Sequence, residues 1–379
     1  MQRDRLLRLP KTAVILSGSG VPGTRGFRVV GWSAKNPCDI SQFIPLRVFL
    51  SLLIFINSAA LFAQSDFYTQ GRAAYDTHDW ESAIKLMIEA DQTAPGKTDA
   101  LLLAAKASVN LNKLADADKL LTTYLTSRPD AADALYLLGT IQQREDKPRE
   151  SLTTFTRAAK LRTPTSEQLH IVGLDYVLLD DYPDAIHWLE RAVQMDDNNA
   201  KAWYALGRSY YTQSRFSEAE HAFKKTLLLD PENMKTTENL ALVYDAENKA
   251  SDADASFKAA IVLADKTPQT DEWPYLDYGG FLLNQNRSQE AIPLLEQAVK
   301  INPNCAACHE KLGRALESIG QTEQAIAHLE RAVALSDKDP HLHYELGLAY
   351  RKAGQKDRAE AEMALSQKLY GTKTPNSQK

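Results

Sequence analysis

The chain has 379 residues, with 44 Lys/Arg against 49 Asp/Glu and a formal charge of −5. Its first 47 residues hold eight Lys/Arg and two Asp, a local +6, which leaves −11 for the remainder. That acidity argues against nucleic acid, whose phosphates call for a basic stripe, and its simplest reading is a solvated outer face.

Residues 1–45 carry two Gly-rich stretches, scattered basic residues and no apolar periodicity, and read as a disordered or mis-annotated leader. Arg47 then introduces the uncharged run VFLSLLIFINSAALFA over residues 48–63. Sixteen residues fall short of the roughly 20 that a membrane span needs. The small residues Ser58, Ala59, Ala60 and Ala63 follow the Leu/Ile/Phe-rich part. A basic flank, an apolar run and a small-residue exit make segment 46–63 a secretory signal peptide, with cleavage expected before Gln64. An uncleaved membrane anchor is the alternative. A translation start near Leu46 or Val48 would account for the long leader. No Cys stands at the cleavage point, so a lipid-anchored form is not supported. The expected location is exported, periplasmic or secreted, in a bacterial envelope; the alternative is anchorage to the inner membrane by 46–63.

From Gln64 the chain is organised by stretches such as AKAWYALGRSYYTQSRFSEAEHAFKKTLLLDPEN, residues 200–233. Trp203, Leu206, Gly207 and Tyr210 recur at helical spacing, which predicts one amphipathic helix to about Thr212. Ser214 and Arg215 make a turn. A second helix runs from Phe216 to about Leu229 with Ala219, Phe223 and Leu227 inward, and Asp230-Pro231 ends it. Gly207 and Ala219 are small where the helices must meet. A hairpin of this size cannot bury its apolar face alone and needs copies on either side.

The copies are in register. Gly207/Ala219 recurs as Gly71/Ala83, Ala105/Ala117, Gly139/Ser151, Gly173/Ala185, Ala241/Ala253, Gly279/Ala291, Gly313/Ala325 and Gly347/Ala359. The period is 34 residues, broken by one four-residue insertion at 268–271. A longer helix–helix loop there costs little and marks no domain boundary. The second repeat departs most, with Ala105 for Gly and Lys113-Leu114 at its turn, and is read as a looser unit.

Trp203, Leu206-Gly207, Tyr210, Ala219, Phe223 and Pro231 match the signature W-x2-L-G-x2-Y…A-x3-F…P, so the chain resembles the tetratricopeptide repeat (TPR) family. The resemblance spans residues 64–373 as nine repeats and implies an all-α fold, an α-solenoid superhelix of tandem helix-turn-helix hairpins. Residues 374–379 are expected to be a disordered tail. In the family the first helices line a concave groove, chiefly with repeat positions 2, 5, 9, 12 and 13. Carried onto this chain, position 5 gives Tyr68, Tyr136, His170, Tyr204 and Tyr344; position 9 gives Arg72, Lys106, Arg208 and Arg314; position 12 adds Tyr75 and Tyr211. Tyr and Arg dominate binding hot spots, although a half-exposed Tyr is also an ordinary helix-surface residue. The groove holds acids as well, among them Glu238, Asp245, Glu310 and Glu317. The Lys/Asn pair by which chaperone-tail-binding members clamp a carboxylate occurs in no repeat here.

No G-x-S-x-G elbow, H-E-x-x-H, Walker loop or G-x-G-x-x-G is found, and nothing outside the repeats is long enough for a catalytic domain. The expected function is a non-catalytic scaffold, without cofactor, that binds extended or helical partner segments in its groove. The last helix, from Lys356 to about Leu369, offers Met363, Leu365 and Leu369 with no further helix to cover them, so a second copy could dock there. One local motif points elsewhere: Cys305-Ala306-Ala307-Cys308-His309 is the C-x-x-C-H of c-type haem attachment, with His341 or His343 as a second ligand. A haem- or metal-carrying electron-transfer protein is therefore the rival reading. Zinc held by Cys305, Cys308 and a His, a Cys305–Cys308 disulfide and inert thiols are the other states of this pair.

Overall fold

The computed structural model describes residues 66–93, 95–96, 98–267 and 271–372. The expected leader, the 46–63 signal or anchor, Pro268–Thr270 of the insertion and the 374–379 tail lie outside the described residues. Every regular element among the described residues is helical. Two compact units divide at Pro164 and Thr165. The first holds α1 (66–76), α2 (Trp80–Thr93), α3 (Ala100–Asn110), α4 (Leu114–Ser127), α5 (Ala132–Arg144) and α6 (Pro148–Leu161). The second holds α7 (Ser166–Leu178), α8 (Tyr182–Met195), α9 (Ala200–Thr212), α10 (Phe216–Leu229), α11 (Met234–Ala246), α12 (Ala250–Asp265), α13 (Trp273–Asn284), α14 (Ser288–Ile301), α15 (Ala306–Ser318), α16 (Thr322–Leu335), α17 (Pro340–Lys352) and α18 (Lys356–Thr372). Consecutive odd and even helices form the nine expected hairpins.

Each hairpin closes on one contact. A Cβ added to Gly207 would stand 2.7 Å from two atoms of the Phe223 ring, and one added to Gly279 or Gly313 would stand 2.6 or 2.7 Å from Leu295 or Leu329. The residue that fills the space over the glycine is therefore sixteen positions on, not the small residue at twelve. The residue at twelve gives the close backbone approach instead: the carbonyl oxygen of Ala325 lies 3.2 Å from the Cβ position of Gly313. Phe223, Phe257, Leu295 and Leu329 are at most 1% exposed, and burying a side chain of this size contributes about 1.5–3 kcal/mol. Ala105, in the repeat expected to be looser, is fully buried opposite Leu121, also fully buried.

The turn within each hairpin has a left-handed residue. His78, Asn112, Asp146, Asp180, Ser214, Asn248 and Asn286 have φ between 56° and 64°, and Gly320 and Gly354 lie at 84° and 77°. They keep the 34-residue period, with the four-residue insertion displacing the last three. Asn, Asp and Gly tolerate this region best. Hairpin entries are capped by short polar side chains: Asn199 Oδ1 accepts from the Ala202 N–H at 3.0 Å, Asn233 Oδ1 from Thr236 at 2.9 Å, and Thr165 forms a capping box with Gln168.

In the second unit one continuous apolar core runs from Leu169 to Ala325, and a smaller one joins Ile326 to Ala359. First helices of successive hairpins touch, α7 with α9, α9 with α11, α13 with α15 and α15 with α17. No comparable contact joins the second helices of successive hairpins. The first helices thus form the inner layer of this unit, and their outward edges line its inner face. The last helix extends to Thr372, three residues past the expected end. Met363 is not bare as expected: its Cγ lies 2.8 Å from the Cβ position of Gly347. Leu365 and Tyr370 are the exposed apolar residues there, at 38% and 53%.

Candidate functional site

Helix α9 buries Ala202, Trp203, Ala205, Leu206, Gly207, Ser209 and Tyr210. What remains along one edge is Tyr204, Arg208 and Tyr211, at steps of four and three residues on one side of the helix. Arg208 is exposed, whereas Tyr204 and Tyr211 are half-buried. The Tyr204 ring centroid is 6.1 Å from that of Phe223, and the Tyr211 ring is 5.7 Å from Phe216. These rings are packed on one edge against the core and half-open on the other.

The other candidates divide more sharply. In the first unit Arg72 pairs with Asp76 at 3.3 Å, and the Tyr68 hydroxyl donates to Asp99. Burial, followed by the Asp99 carboxylate, raises the Tyr68 pKa. Tyr136 is only 3% exposed, donates its hydroxyl to the Arg162 carbonyl and lies under the Arg162 guanidinium at 4.9 Å. It is a packing residue, against the expectation that it faces a ligand. In the second unit His170 is 7% exposed, and burial holds its pKa below the ordinary value; it too is inside, 3.9 Å from Glu167. Tyr344 is open, at 46% exposed. Arg314 donates to Glu310 at 3.0 Å.

The inner face between α11 and α13 holds what sequence reasoning understated. Glu238, at position 5 of its repeat, is 7% exposed, and its Oε1 has no hydrogen-bond partner. Burial, then the Asp277 and Asp271 carboxylates, push its pKa up to about 8, against weaker pull from Lys235 and Arg208. Burial raises Asp277 to about 6, with Lys311 opposing, and raises Asp245 as well. The Tyr211 hydroxyl is raised by burial and then by Asp277 and Asp245, which ties α9 to the same patch. Glu238 was legible as a lining residue, and the sharper signal was one step away. Glu310 has Arg314 four residues on, but four residues after Glu238 stands Leu242. Asp277 sits at position 6 and escapes the family's groove positions.

The C-x-x-C-H motif resolves differently from its haem or zinc reading. Cys305 and Cys308 form a disulfide, so neither thiol is left to add to a porphyrin vinyl group or to ligate zinc. Cys305 is the N-cap of α15 and its Sγ accepts from the Cys308 N–H at 3.0 Å, the role that Asn199 and Asn233 fill elsewhere. The His309 Nε2 lies 3.2 Å from the Pro303 carbonyl and must donate to it, so the neutral ring accepts at Nδ1 from His328 Nδ1 at 3.0 Å. Burial depresses both imidazoles. His343, proposed as a second axial ligand, is 3% exposed and bonded to Glu362 and to the Asp337 carbonyl. His341 lies 3.7 Å from Glu310 and 3.8 Å from Glu345. The electron-transfer reading has no support in this arrangement. Among the described residues no cluster of three His, Cys, Asp or Glu is placed to hold a metal ion.

One tetratricopeptide repeat profile matches residues 74–141 and 282–343, and a second matches 204–269. A profile of the anaphase-promoting complex, cyclosome, subunit 3 matches residues 149–226. No curated protein matches the chain in sequence. Among solved structures, a tetratricopeptide repeat protein from Parabacteroides merdae is 18% identical with a TM-score of 0.52, over 66% of this chain and 98% of that one. The Cut9–Hcn1 hetero-tetramer of the APC/C is 17% identical with a TM-score of 0.51, over 78% of this chain. The match covers 57% of that chain's length. PilW, a type IV pilus biogenesis factor, is 20% identical with a TM-score of 0.50, over 54% of this chain and 94% of its own. At such identities the likeness is one of fold. With nine hairpins on a 34-residue period, and family profiles matched along most of that array, the chain belongs to the tetratricopeptide repeat family, whose arrays are protein-interaction scaffolds and generally non-catalytic.

Proposed function

We propose that this protein is a non-catalytic scaffold of the cell envelope that holds an extended or helical segment of a partner protein against the inner face of its second unit. The observation that carries the reading is the edge Tyr204, Arg208 and Tyr211: α9 buries Trp203, Leu206 and Tyr210 and leaves two half-open rings and an exposed guanidinium in line. Rings anchored on one side lose little entropy when a ligand covers the other, which favours them as hot spots. Tyr344 and Arg314 would extend the surface along α15 and α17, and Tyr68 and Arg72 would give the first unit a smaller one.

The test begins with peptides recovered from a displayed random library on the full chain, followed by calorimetry. Arg208→Ala should melt within about 0.5 kcal/mol of the parent, as exposed substitutions do. It should weaken the recovered peptides about tenfold, and adding Tyr204→Ala should bring the loss to about thirtyfold. Peptides that bind the double variant as well as the parent would overturn the groove reading. Export rests on the uncharged segment 48–63 after its basic flank. No described helix is long and apolar enough to cross a membrane. N-terminal sequencing of the mature protein should begin at or near Gln64, and a cytosolic product retaining Met1 would overturn export. Leu365 and Tyr370 on α18 offer a second copy of the chain a place to dock; sedimentation equilibrium of the parent and of Tyr370→Ser would show it.

A further inference from the structure

We propose that the inner face between α11 and α13 is a subsite for the cationic side chain of a lysine or arginine in the partner segment, seated against Glu238 and Asp277. This rests on the groove reading and specifies its partner.

An inward carboxylate normally brings its own cation. In α15 the acid at repeat position 5, Glu310, has Arg314 at position 9 and bonds to it at 3.0 Å. In α11 the same two positions hold Glu238 and Leu242, and position 9 of the following helix, α13, is Gly280. No nearby cation satisfies Glu238 Oε1. Lys235 and Arg208 are exposed and act on it only at a distance. Lys311 lies over Gly280, its Nζ 3.3 Å from the Cβ position there, and acts on Asp277. Asp271, Asp277 and Asp245 add negative charge from α11, from α13 and from the stretch leading into it. Glu238 is therefore 93% buried with one oxygen unsatisfied, a state that costs free energy in any folded protein unless a partner removes it.

The chemistry of the missing partner follows. An anion would add to the repulsion, and an apolar group would leave Oε1 unsatisfied. An ammonium or guanidinium supplies donors and charge together, and charge-assisted bonds of this kind are the strong ones. The Tyr211 ring beside Asp277 and Asp245 offers a π-face to the aliphatic stem and its cation. Binding should also displace the proton that burial keeps on Glu238 near neutral pH.

The probe is an acetylated and amidated octapeptide of alternating glycine and lysine, titrated into the full chain at pH 7 in phosphate and in Tris, whose ionisation enthalpies differ. The parent should bind it and release protons. The same peptide with every lysine Nε-acetylated should not bind. Glu238→Gln and Asp277→Asn should each weaken binding about tenfold, the size expected for one charged hydrogen bond. Proton release should disappear in Glu238→Gln, and cooperative melting of both variants at or above the parent's temperature would show that the fold is intact. Absence of binding to the parent, equal binding of the acetylated peptide, or unchanged affinity in Glu238→Gln would each overturn the subsite. Calcium chloride that binds the parent while the peptide does not would overturn it in favour of a metal site. Library peptides weakened by Arg208→Ala but not by Glu238→Gln would leave the groove and remove the subsite; peptides insensitive to both would remove the groove itself.

Discussion

Two stretches of the same inner face treat their carboxylates in opposite ways. Between α15 and α17, Glu310 is bonded to Arg314 and approached by His341, and Glu317 is paired with Lys352 at 3.5 Å. Between α11 and α13, Glu238 has an unsatisfied oxygen and shares its surroundings with Asp277 and Asp271. Both stretches use the same hairpin and the same depth, with Glu310 at 8% and Glu238 at 7% exposed. The nearest difference is one residue a single helical turn away, Arg314 against Leu242. Burial alone does not make a strained site. Burial without the i+4 cation does.

The largest expected consequence is a substitution that stabilises. Below about pH 4.5 both folded and unfolded Glu238 carry the proton and folding feels no penalty. Between 4.5 and about 8 the unfolded carboxyl ionises while the folded one keeps its proton, so stability falls as pH rises through this window. Glu238→Gln should therefore stabilise the second unit by up to about 3 kcal/mol at pH 7. The gain should vanish near pH 4, and the stability profile of the variant should flatten between. Urea titrations across pH, followed by hydrogen exchange over α11 and α13, read this directly. A variant no more stable than the parent at pH 7 would erase the contrast. Because the same change should cost affinity for a cationic partner, it would also expose a trade of stability for function.

A second experiment asks whether the contrast lies in charge or in backbone spacing. Gly279→Ala would bring a Cβ within 2.6 Å of Leu295 Cδ2, and Gly313→Ala within 2.7 Å of Leu329 Cγ. Overpacking of this kind costs about 1–3 kcal/mol, and the two losses should agree. In a solenoid each should stay near its own hairpin. Unequal melting shifts would mean that the two stretches differ in packing before they differ in charge.

Smaller still, Glu310→Gln should lower stability by about 1 kcal/mol, since Arg314 is 40% exposed and its pair is partly screened. The opposite signs of Glu238→Gln and Glu310→Gln, in one buffer, are the plainest statement of the comparison. The smallest effect expected is one of slope. Hydrogen bonds to Glu362 and the Asp337 carbonyl raise the His343 pKa against its burial. Its contribution is fully present below the unfolded value near 6.5 and is lost as pH rises through the folded value. His343→Gln should remove that slope above pH 6.5, and an NMR titration of the His343 ring with a pKa below 6.5 would contradict it.

Much of this architecture was legible beforehand because it is periodic. A glycine or alanine at the same place in each repeat, a small residue twelve positions after it and turn residues between leave helix length and pairing little freedom. The site was legible only as a helix edge. Counting positions put Tyr136 and His170 on the same footing as Tyr204, yet Tyr136 spends its hydroxyl on Arg162 and His170 is buried. Position in a repeat sets direction from the helix axis, but how far a neighbouring helix advances over that direction is decided by bulky residues dozens of positions away. Asp277 was missed for a related reason, since the family's groove positions pass over position 6. Cys305-Ala306-Ala307-Cys308-His309 misled in another way: a short motif carries chemistry only if its geometry is free, and here both sulfurs are tied to each other at a helix cap.

Composition and period by themselves determined that this protein is an all-α repeat array, because no other arrangement buries an apolar stripe that returns every half-repeat. They also determined where its turns fall, since small and polar residues recur where φ must be positive. Which inward side chains are covered, which are half-open and which acid lacks a cation were decided by the tertiary structure. Those properties depend on distances between helices that are far apart in the chain. The free energy of a carboxylate such as Glu238 is set by what stands within a few ångströms of it, and sequence spacing does not encode that.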